Sequence, residues 1–394
     1  MIKFYNNFTK NTISKFCTYN NILNNFITIC HYMPLTFLNF LPAIITILLK
    51  SESIISLDLS TKIAALYSIK VSSAEKKIKR FFENKHYDFI FFYEKFITHI
   101  INNYRIKHKD NRVIIAFDHM HNKEKFTILM FSLRIGRTGI PIWFRVFKYS
   151  DKEAFTYNLF KNGISYCHNL IKNSNQNSKI SFLADRFWGS HVKIFDYIDS
   201  LNDNYFIRAK GNILTFVYDK KKKKYVFKPL SQLKSYKYHS VFYKNILVTK
   251  KRYKTNLTIS CSDGHKEPYY IFSNSNENIS VKEYSKRFAS IEFIFKNQKS
   301  NGFYLEDTQI KNLKSLESLY VCICIAHVLL TMLGIYYSKN KEHLSFLGIR
   351  DTKKSNGKNI RSISYFHIGL LIVEYVEETI NLFELFERFI LYDV

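Results

Sequence analysis

The sequence predicts a mixed α/β protein in which a helical N-terminal region precedes a helix-flanked sheet, with an antiparallel β module inserted into the sheet. Three observations lead there. Residues 1 to about 105 carry apolar side chains at mixed three- and four-residue spacing, the period of helices. From Asn111 short apolar runs alternate with helical stretches, as strands buried on both faces do. Between about Asn212 and Asn276 strand-like segments follow one another closely, without helical spacing between them.

Within the helical region, Leu57 to Asn84 contains two short helical patterns that part near Val71-Ser72. Ser72 and Glu75 have capping-box spacing for the second. Lys76, Lys77, Lys79 and Arg80 load that second helix with positive charge. A helix-turn-helix laid against phosphates accounts for this, and so does a solvated amphipathic helix.

The sheet begins with Arg112 to Asp118, an apolar run ending in a carboxylate, followed by strand-like stretches at Phe126 to Ile135 and Ile140 to Tyr149. Gly136 and Gly139 mark the turn between those two. A helix is expected over about Ala154 to Ile171, a strand over Lys179 to Asp185, a helix near Ser190 to Leu201 and a strand over Asn204 to Lys210. The inserted module has strand-like segments at Ile213–Tyr218, Tyr225–Lys228, His239–Lys250, Asn256–Cys261 and Tyr269–Asn274, with a run of lysines, Lys220 to Lys224, at a hairpin tip. Such a run is ordinarily a solvated turn, and a prong that touches a nucleic-acid strand is the alternative. Helical periodicity returns at Ser280 to Lys299, Leu316 to Tyr336 and Gly369 to Phe389.

The chain of 394 residues carries 59 Lys and Arg against 32 Asp and Glu, a net charge of +27 spread along its length. A polyanionic partner follows. Part of that charge has a blander source, because the sequence is rich in Lys, Asn, Ile, Tyr and Phe, residues with AT-rich codons. Six scattered cysteines (Cys17, Cys30, Cys167, Cys261, Cys322 and Cys324) lack zinc-site spacing and read as reduced, which points to the cytoplasm. No secretory signal is expected at the start. Two apolar runs, Phe37 to Leu49 and Ser318 to Tyr337, invite a membrane reading. The first is shorter than the roughly 17 to 25 residues that cross a bilayer, and the second carries His327 near its centre, so buried helices of a soluble core are expected.

Two apolar strands that each end in aspartate, Asp118 and Asp185, are the first chemical signal. A carboxylate at a core strand's edge costs stability unless a cation or hydrogen bonds compensate it. Glu283, Glu292, Glu306 and Asp307 are candidates for a third acid. Helical spacing favours Glu292, since Tyr284, Phe288, Glu292, Phe295 and Lys299 recur at three- and four-residue intervals, although an amphipathic stripe that happens to contain an acid has the same spacing.

The segment from Tyr284 through Arg287, Glu292, Phe295 and Lys299 to Gly302-Phe303 resembles the glutamate region of DDE insertion-sequence transposases with a YREK signature. Four residues separate Arg287 from Glu292, where that signature has three. The block Ala184-Asp185-Arg186-Phe187-Trp188-Gly189-Ser190, followed by Tyr205 to Lys210, is similar to the family's second-aspartate region. Ile114 to Asp118 resembles its first, with His119 where a small hydroxylated residue is common. The resemblance covers about residues 105 to 340, and the β-rich insert before the glutamate is also a feature of the family.

That resemblance implies a ribonuclease-H-like mixed sheet in which Asp118, Asp185 and Glu292 are catalytic and hold two Mg²⁺ ions, with Mn²⁺ as a substitute. It also implies that Tyr284, Arg287 and Lys299 contact transposon-end phosphates, with Arg208 and Lys210 extending the track. Trp188 is either a base-stacking platform or core packing. The segments are then a helical DNA-binding region (1–105), a catalytic core (106–211), the β insert (212–276), the rest of the core with its glutamate helix (277–340) and a C-terminal helical region (341–394). The implied activity is cut-and-paste strand cleavage and strand transfer, through a hairpin-ended intermediate. Its partners would be double-stranded DNA at inverted-repeat ends and target DNA, bound by a homodimer in the cytoplasm at the nucleoid, with no membrane. Two other classes stay open: a nuclease of the same fold that never rejoins strands, and a non-catalytic DNA-binding or membrane protein.

Overall fold

The computed structural model describes residues 33–376 except 51–55, 104–110, 123–124, 220–222, 262–266, 301, 340–343, 346–347, 350, 354–358 and 362. Cys17, Cys30, Lys220 to Lys222 and the end of the helix expected up to Phe389 lie outside the described residues. Four helices come first: α1 (Leu35–Lys50), α2 (Ser56–Tyr67), α3 (Val71–Glu83) and α4 (Phe89–Asn103). Their apolar faces meet in an aromatic cluster in which Phe37 touches Phe81, Tyr87, Phe89 and Phe92 with ring centroids 5.1–5.5 Å apart. A short link joins α2 to α3, and Ser68 in it takes a left-handed conformation. The capping box expected from Ser72 and Glu75 is not formed. Lys70 holds the extended cap position without a side-chain bond, so Ser72 already lies inside the helix. Ala74, Phe81 and Phe82 of α3 are buried, Lys76, Lys79 and Arg80 are exposed, and the Lys77 ammonium lies 3.7 Å from the centre of the Tyr67 ring.

The sheet starts with an antiparallel meander of β1 (Arg112–Asn122), β2 (Phe126–Ile135) and β3 (Thr138–Lys148). A helix α5 (Tyr157–Ser174) returns the chain to β4 (Lys179–Ala184), which lies parallel to β1 on its free edge. A second crossover, α6 (Val192–Ser200), leads to β5 (Asn204–Ala209), parallel to β4. Both faces of this block are covered, so Val113 to Phe117, Ile180 and Phe182 to Ala184 are buried without alternation. Gly139 does not form the turn that the sequence suggested. It lies in β3, and the turn before it is made at Gly136, whose φ is positive.

The strands β6 (Leu214–Asp219), β7 (Lys224–Pro229), β8 (Ser240–Val248), β9 (Tyr253–Ser260) and β10 (Tyr269–Ser273) are antiparallel, as expected. They do not form a separate module. β10 pairs with β5, with Phe272 opposite Ile207, so one sheet runs in the order β3-β2-β1-β4-β5-β10-β9-β8-β6-β7. The chain then enters a long helical passage and reaches α9 (Leu313–Tyr337), whose apolar residues face every direction. By length and composition α9 could cross a bilayer, but its apolar stretch is wholly covered by the surrounding protein. His327 on it is buried, stacks on Phe366 at 4.6 Å and bonds the Gly139 carbonyl at 3.3 Å, and burial lowers its pKa to about 3. The C-terminal region, expected to be helical, contains a short hairpin of β11 (Asp351–Lys353) and β12 (Asn359–Arg361) before α10 (Tyr365–Val376).

A candidate carboxylate site at the end of two parallel strands

Parallel pairing brings the first two acids together. The register of β1 on β4 ends with Phe117 opposite Ala184, and the next residue on each strand is Asp118 and Asp185. Neighbouring strands lie about 4.8 Å apart, so two residues 67 positions apart in the sequence come to adjacent places. β1 continues past Asp118 to pair with β2 alone, which opens one side of the carboxylate to the rest of the site.

The third acid comes from the helical passage after β10. It consists of α7 (Ser280–Arg287), one π-helical turn (Phe288–Glu292) and α8 (Phe293–Lys299). In a regular α-helix, side chains five residues apart diverge by ~140°. The π turn, with its i→i+5 repeat, restores Arg287 and Glu292 to one side of the helix. Arg287 donates through Nη1 to Glu292 Oε1 at 2.6 Å and through Nη2 to Asp118 Oδ2. The four residues between Arg287 and Glu292 are thus spanned by the π turn. Three hydrogen bonds support it: Ser290 Oγ donates to the carbonyls of Arg287 (2.9 Å) and Lys286 (3.1 Å), and Arg134 Nη1 donates to the Lys286 carbonyl at 2.8 Å. β3 presses on the same turn so closely that a Cβ on Gly139 would stand 2.0 Å from the Ser290 carbonyl oxygen. Arg134 and Ser290 were not singled out from the sequence, and Gly139 was read there only as part of a turn.

Asp185 is reached by Tyr284, whose hydroxyl donates to Oδ1 at 3.4 Å, and by Arg208, whose Nη1 lies 3.9 Å from the same oxygen. Burial raises the Asp118 pKa to about 6. The carboxylates of Asp185 and Glu292 push the same way, against the pull of Arg287 and of the His119 N–H bonded to Oδ1 at 2.9 Å. Burial works against the Arg287 charge, but Asp118, Asp185 and Glu292 outweigh it and its pKa rises. Burial pushes the Tyr284 hydroxyl up and lowers His119 to about 4.

Asp118, Asp185, Glu292, Tyr284, Arg287 and Arg208 therefore converge. The rival acids go elsewhere: Glu283 pairs with Lys286, and Glu306 lies 3.8 Å from Lys299. Lys299 donates to the His121 carbonyl at 2.6 Å, one step along β1, and Lys210 is exposed just beyond β5. The expected stripe of Tyr284, Phe288, Glu292, Phe295 and Lys299 is broken by the π turn, since Tyr284 is buried and Phe288 exposed. Tyr284 and Arg287, expected to face phosphates, are 2% and 3% exposed and turn their polar ends onto the carboxylates. Trp188 is buried core packing.

The oxygen-only donor set suits a hard divalent cation. As the side chains stand, no three His, Cys, Asp or Glu groups among the described residues are close enough to hold one ion, because Arg287 draws Asp118 and Glu292 onto its guanidinium. That guanidinium puts a positive charge between two of the acids, and its Nε has no partner among the described residues. As they stand, Asp118 and Glu292 are arranged around the Arg287 guanidinium.

No family model and no curated protein matches the chain. Among solved structures it is similar to Argonaute of Marinitoga piezophila in complex with 5′ OH guide RNA and target DNA, at 12% identity and a TM-score of 0.24, over 61% of this chain and 35% of that one. The same Argonaute with guide RNA alone is similar at 9% identity and a TM-score of 0.24, over 53% and 31% of the two chains. The chain spans about a third of the length of these structures.

Proposed function

We propose that this protein is a DNA transposase of the DDE type, with a ribonuclease-H-like core formed by the block β3-β2-β1-β4-β5. The observation that carries the proposal is the convergence of Asp118 and Asp185, in register at the ends of parallel strands, with Glu292 through a shared buried arginine. Such a cluster of like charges is costly to a fold and serves one that must bind cations there. Two Mg²⁺ ions bound to these acids would activate the attacking hydroxyl or water and stabilise the leaving oxygen of an in-line phosphoryl displacement. Asp118, Asp185 and Glu292 would be the ligands. Tyr284 and Arg208 hold Asp185 in place, and the His119 N–H holds Asp118. Lys210 and Lys299 would position the DNA backbone by charge, without reading sequence. The exposed basic side of α3 would bind the duplex, and a dimer would bring two ends together.

The test is a nicking assay on the DNA that flanks the gene, searched first for short inverted repeats, with strand transfer from pre-cut ends as a second arm. Wild type cuts in Mg²⁺ or Mn²⁺ and joins pre-cut ends to a target, whereas Asp118→Ala, Asp185→Ala and Glu292→Ala still bind DNA but cut only at background. Cutting by any of the three variants refutes the assignment. Cutting without joining makes the protein a nuclease of the same fold.

A further inference from the structure

The carboxylate chemistry leaves the hairpin β6–β7 and the β8–β9 turn unused. On one face of the hairpin Tyr218 stands opposite Tyr225 and Phe216 opposite Phe227, a row whose neighbouring ring centres are 5.0–5.3 Å apart. These rings are not core, for Tyr218, Tyr225 and Phe227 leave 40–59% of their surface open. β7 is the last strand of the sheet, where an exposed apolar face is a liability unless something covers it. The Arg252 guanidinium lies 4.3 Å from the centre of the Phe216 ring, and the exposed Lys223 and Lys224 stand toward the hairpin tip.

The β8–β9 turn connects this row to the candidate site. Its Thr249 N–H donates to the Leu214 carbonyl at 2.7 Å, at the base of the hairpin, and Arg252 caps the aromatic row. Thr249, Lys250 and Lys251 also form one wall of a cavity of about 410 Å³, and the opposite wall includes Phe155, Trp188 and His191. The Trp188 indole N–H is buried and meets no acceptor among the described residues. The backbone N–H of Trp188 donates to the Asp185 carbonyl at 3.0 Å, so the cavity opens three residues from the second aspartate.

We propose that cavity, turn and aromatic row form one continuous seat for single-stranded DNA leading away from the carboxylates. One nucleotide occupies the cavity, against Phe155 and His191. The next bases stack on Tyr218, Tyr225 and Phe227, and Lys250 and Lys251 meet their phosphates. Open rings interleaved with cations bind single strands, whose base faces are free, and not duplexes, whose faces are hidden. A second copy of this chain fits badly, because two basic faces repel. The inference deepens the transposase reading by naming which form of DNA this arm holds.

The test is fluorescence anisotropy with labelled oligothymidylate of about 20 nucleotides, longer than one such seat, carried out in EDTA. Wild type binds the oligomer more tightly than a duplex of equal length. Tyr218→Leu, Tyr225→Leu and Phe227→Leu, which keep apolar bulk but remove the ring, each weaken binding roughly 5-fold or more, at unchanged circular dichroism and melting temperature. Tyr218→Trp and Tyr225→Phe bind like wild type. Lys250→Gln with Lys251→Gln lowers the slope of log K against log salt by roughly 0.7 for each phosphate no longer neutralised. The proposal is overturned if the leucine variants bind as wild type does, if duplex is bound as tightly and depends on the same rings, or if the rings prove to hold a dimer that the leucine variants dissolve. Because metal is absent, failure of the cleavage proposal leaves this result intact, and loss of this seat leaves the carboxylates untouched.

Discussion

Asp118→Asn tests whether the site carries a charge that the fold alone does not compensate. In the absence of divalent metal the Asp118 carboxyl titrates at about 6, against 3.8 for an unperturbed aspartate, with burial as the main cause. The unfolded chain therefore ionises Asp118 more readily than the native one does. Stability held below the unfolded value is lost as the pH rises through the folded value, at about 1.4 kcal/mol per unit. Two units amount to about 3 kcal/mol, little screened by solvent because the side chain is only 24% exposed. Wild type should thus lose about 2.5 kcal/mol relative to Asp118→Asn between pH 4 and pH 7, and the difference should level off above that. The new amide meets the Arg287 guanidinium donor to donor, an offset that does not vary with pH, so the slope carries the answer. Urea denaturation in EDTA across that range measures it. A pH-independent difference, or a wild type that gains on the variant as pH rises, would refute the reasoning.

Arg287→Met leaves two carboxylates unpaired. Breaking a fully buried pair costs about 3–5 kcal/mol, and because Asp118 and Glu292 keep 24% and 45% exposure the loss should be about 2–3 kcal/mol in EDTA. Millimolar Mg²⁺ should restore more stability to this variant than to wild type by the same denaturation assay, and equal gains would contradict the cation-substitute role of Arg287. Gly139→Ala drives a methyl into the Ser290 carbonyl, so it should cost about 1–3 kcal/mol and lower DNA cutting, whereas Gly136→Ala, farther from the helix, should cost its left-handed turn and leave the π turn in place. His327 is neutral in the fold with a pKa of about 3, so the unfolded chain takes up its proton first as pH falls below 6.5. Wild type should lose about 2 kcal/mol more than His327→Leu between pH 7.5 and pH 5, read by thermal denaturation at each pH.

Asp118 and Asp185 were legible because each follows an apolar run, although β1 carries on past Asp118 to Asn122. Their adjacency was not, since register lies in the pairing of β1 with β4 and not in either segment. Glu292 was legible by helical spacing, although that spacing assumed a regular helix. The π turn at Phe288–Glu292 broke the stripe of Tyr284, Phe288 and Glu292, and Tyr284 and Arg287, expected to face phosphates, are buried. Strand alternation in the insert located all five strands. It carried no information about which strand β5 would accept, and β10 made the insert an extension of the main sheet. Ser72 shows a similar limit: its spacing to Glu75 was right, but backbone geometry gave the cap to Lys70.

The central claim is that Asp118, Asp185 and Glu292 hold divalent cations in common, and electron paramagnetic resonance of free Mn²⁺ in the presence of metal-stripped protein tests it most directly. The account predicts about two ions bound per wild-type chain, and loss of both from Asp118→Ala, Asp185→Ala and Glu292→Ala alike. A wild type that binds none at millimolar Mn²⁺, or variants that bind as many as wild type does, would contradict it.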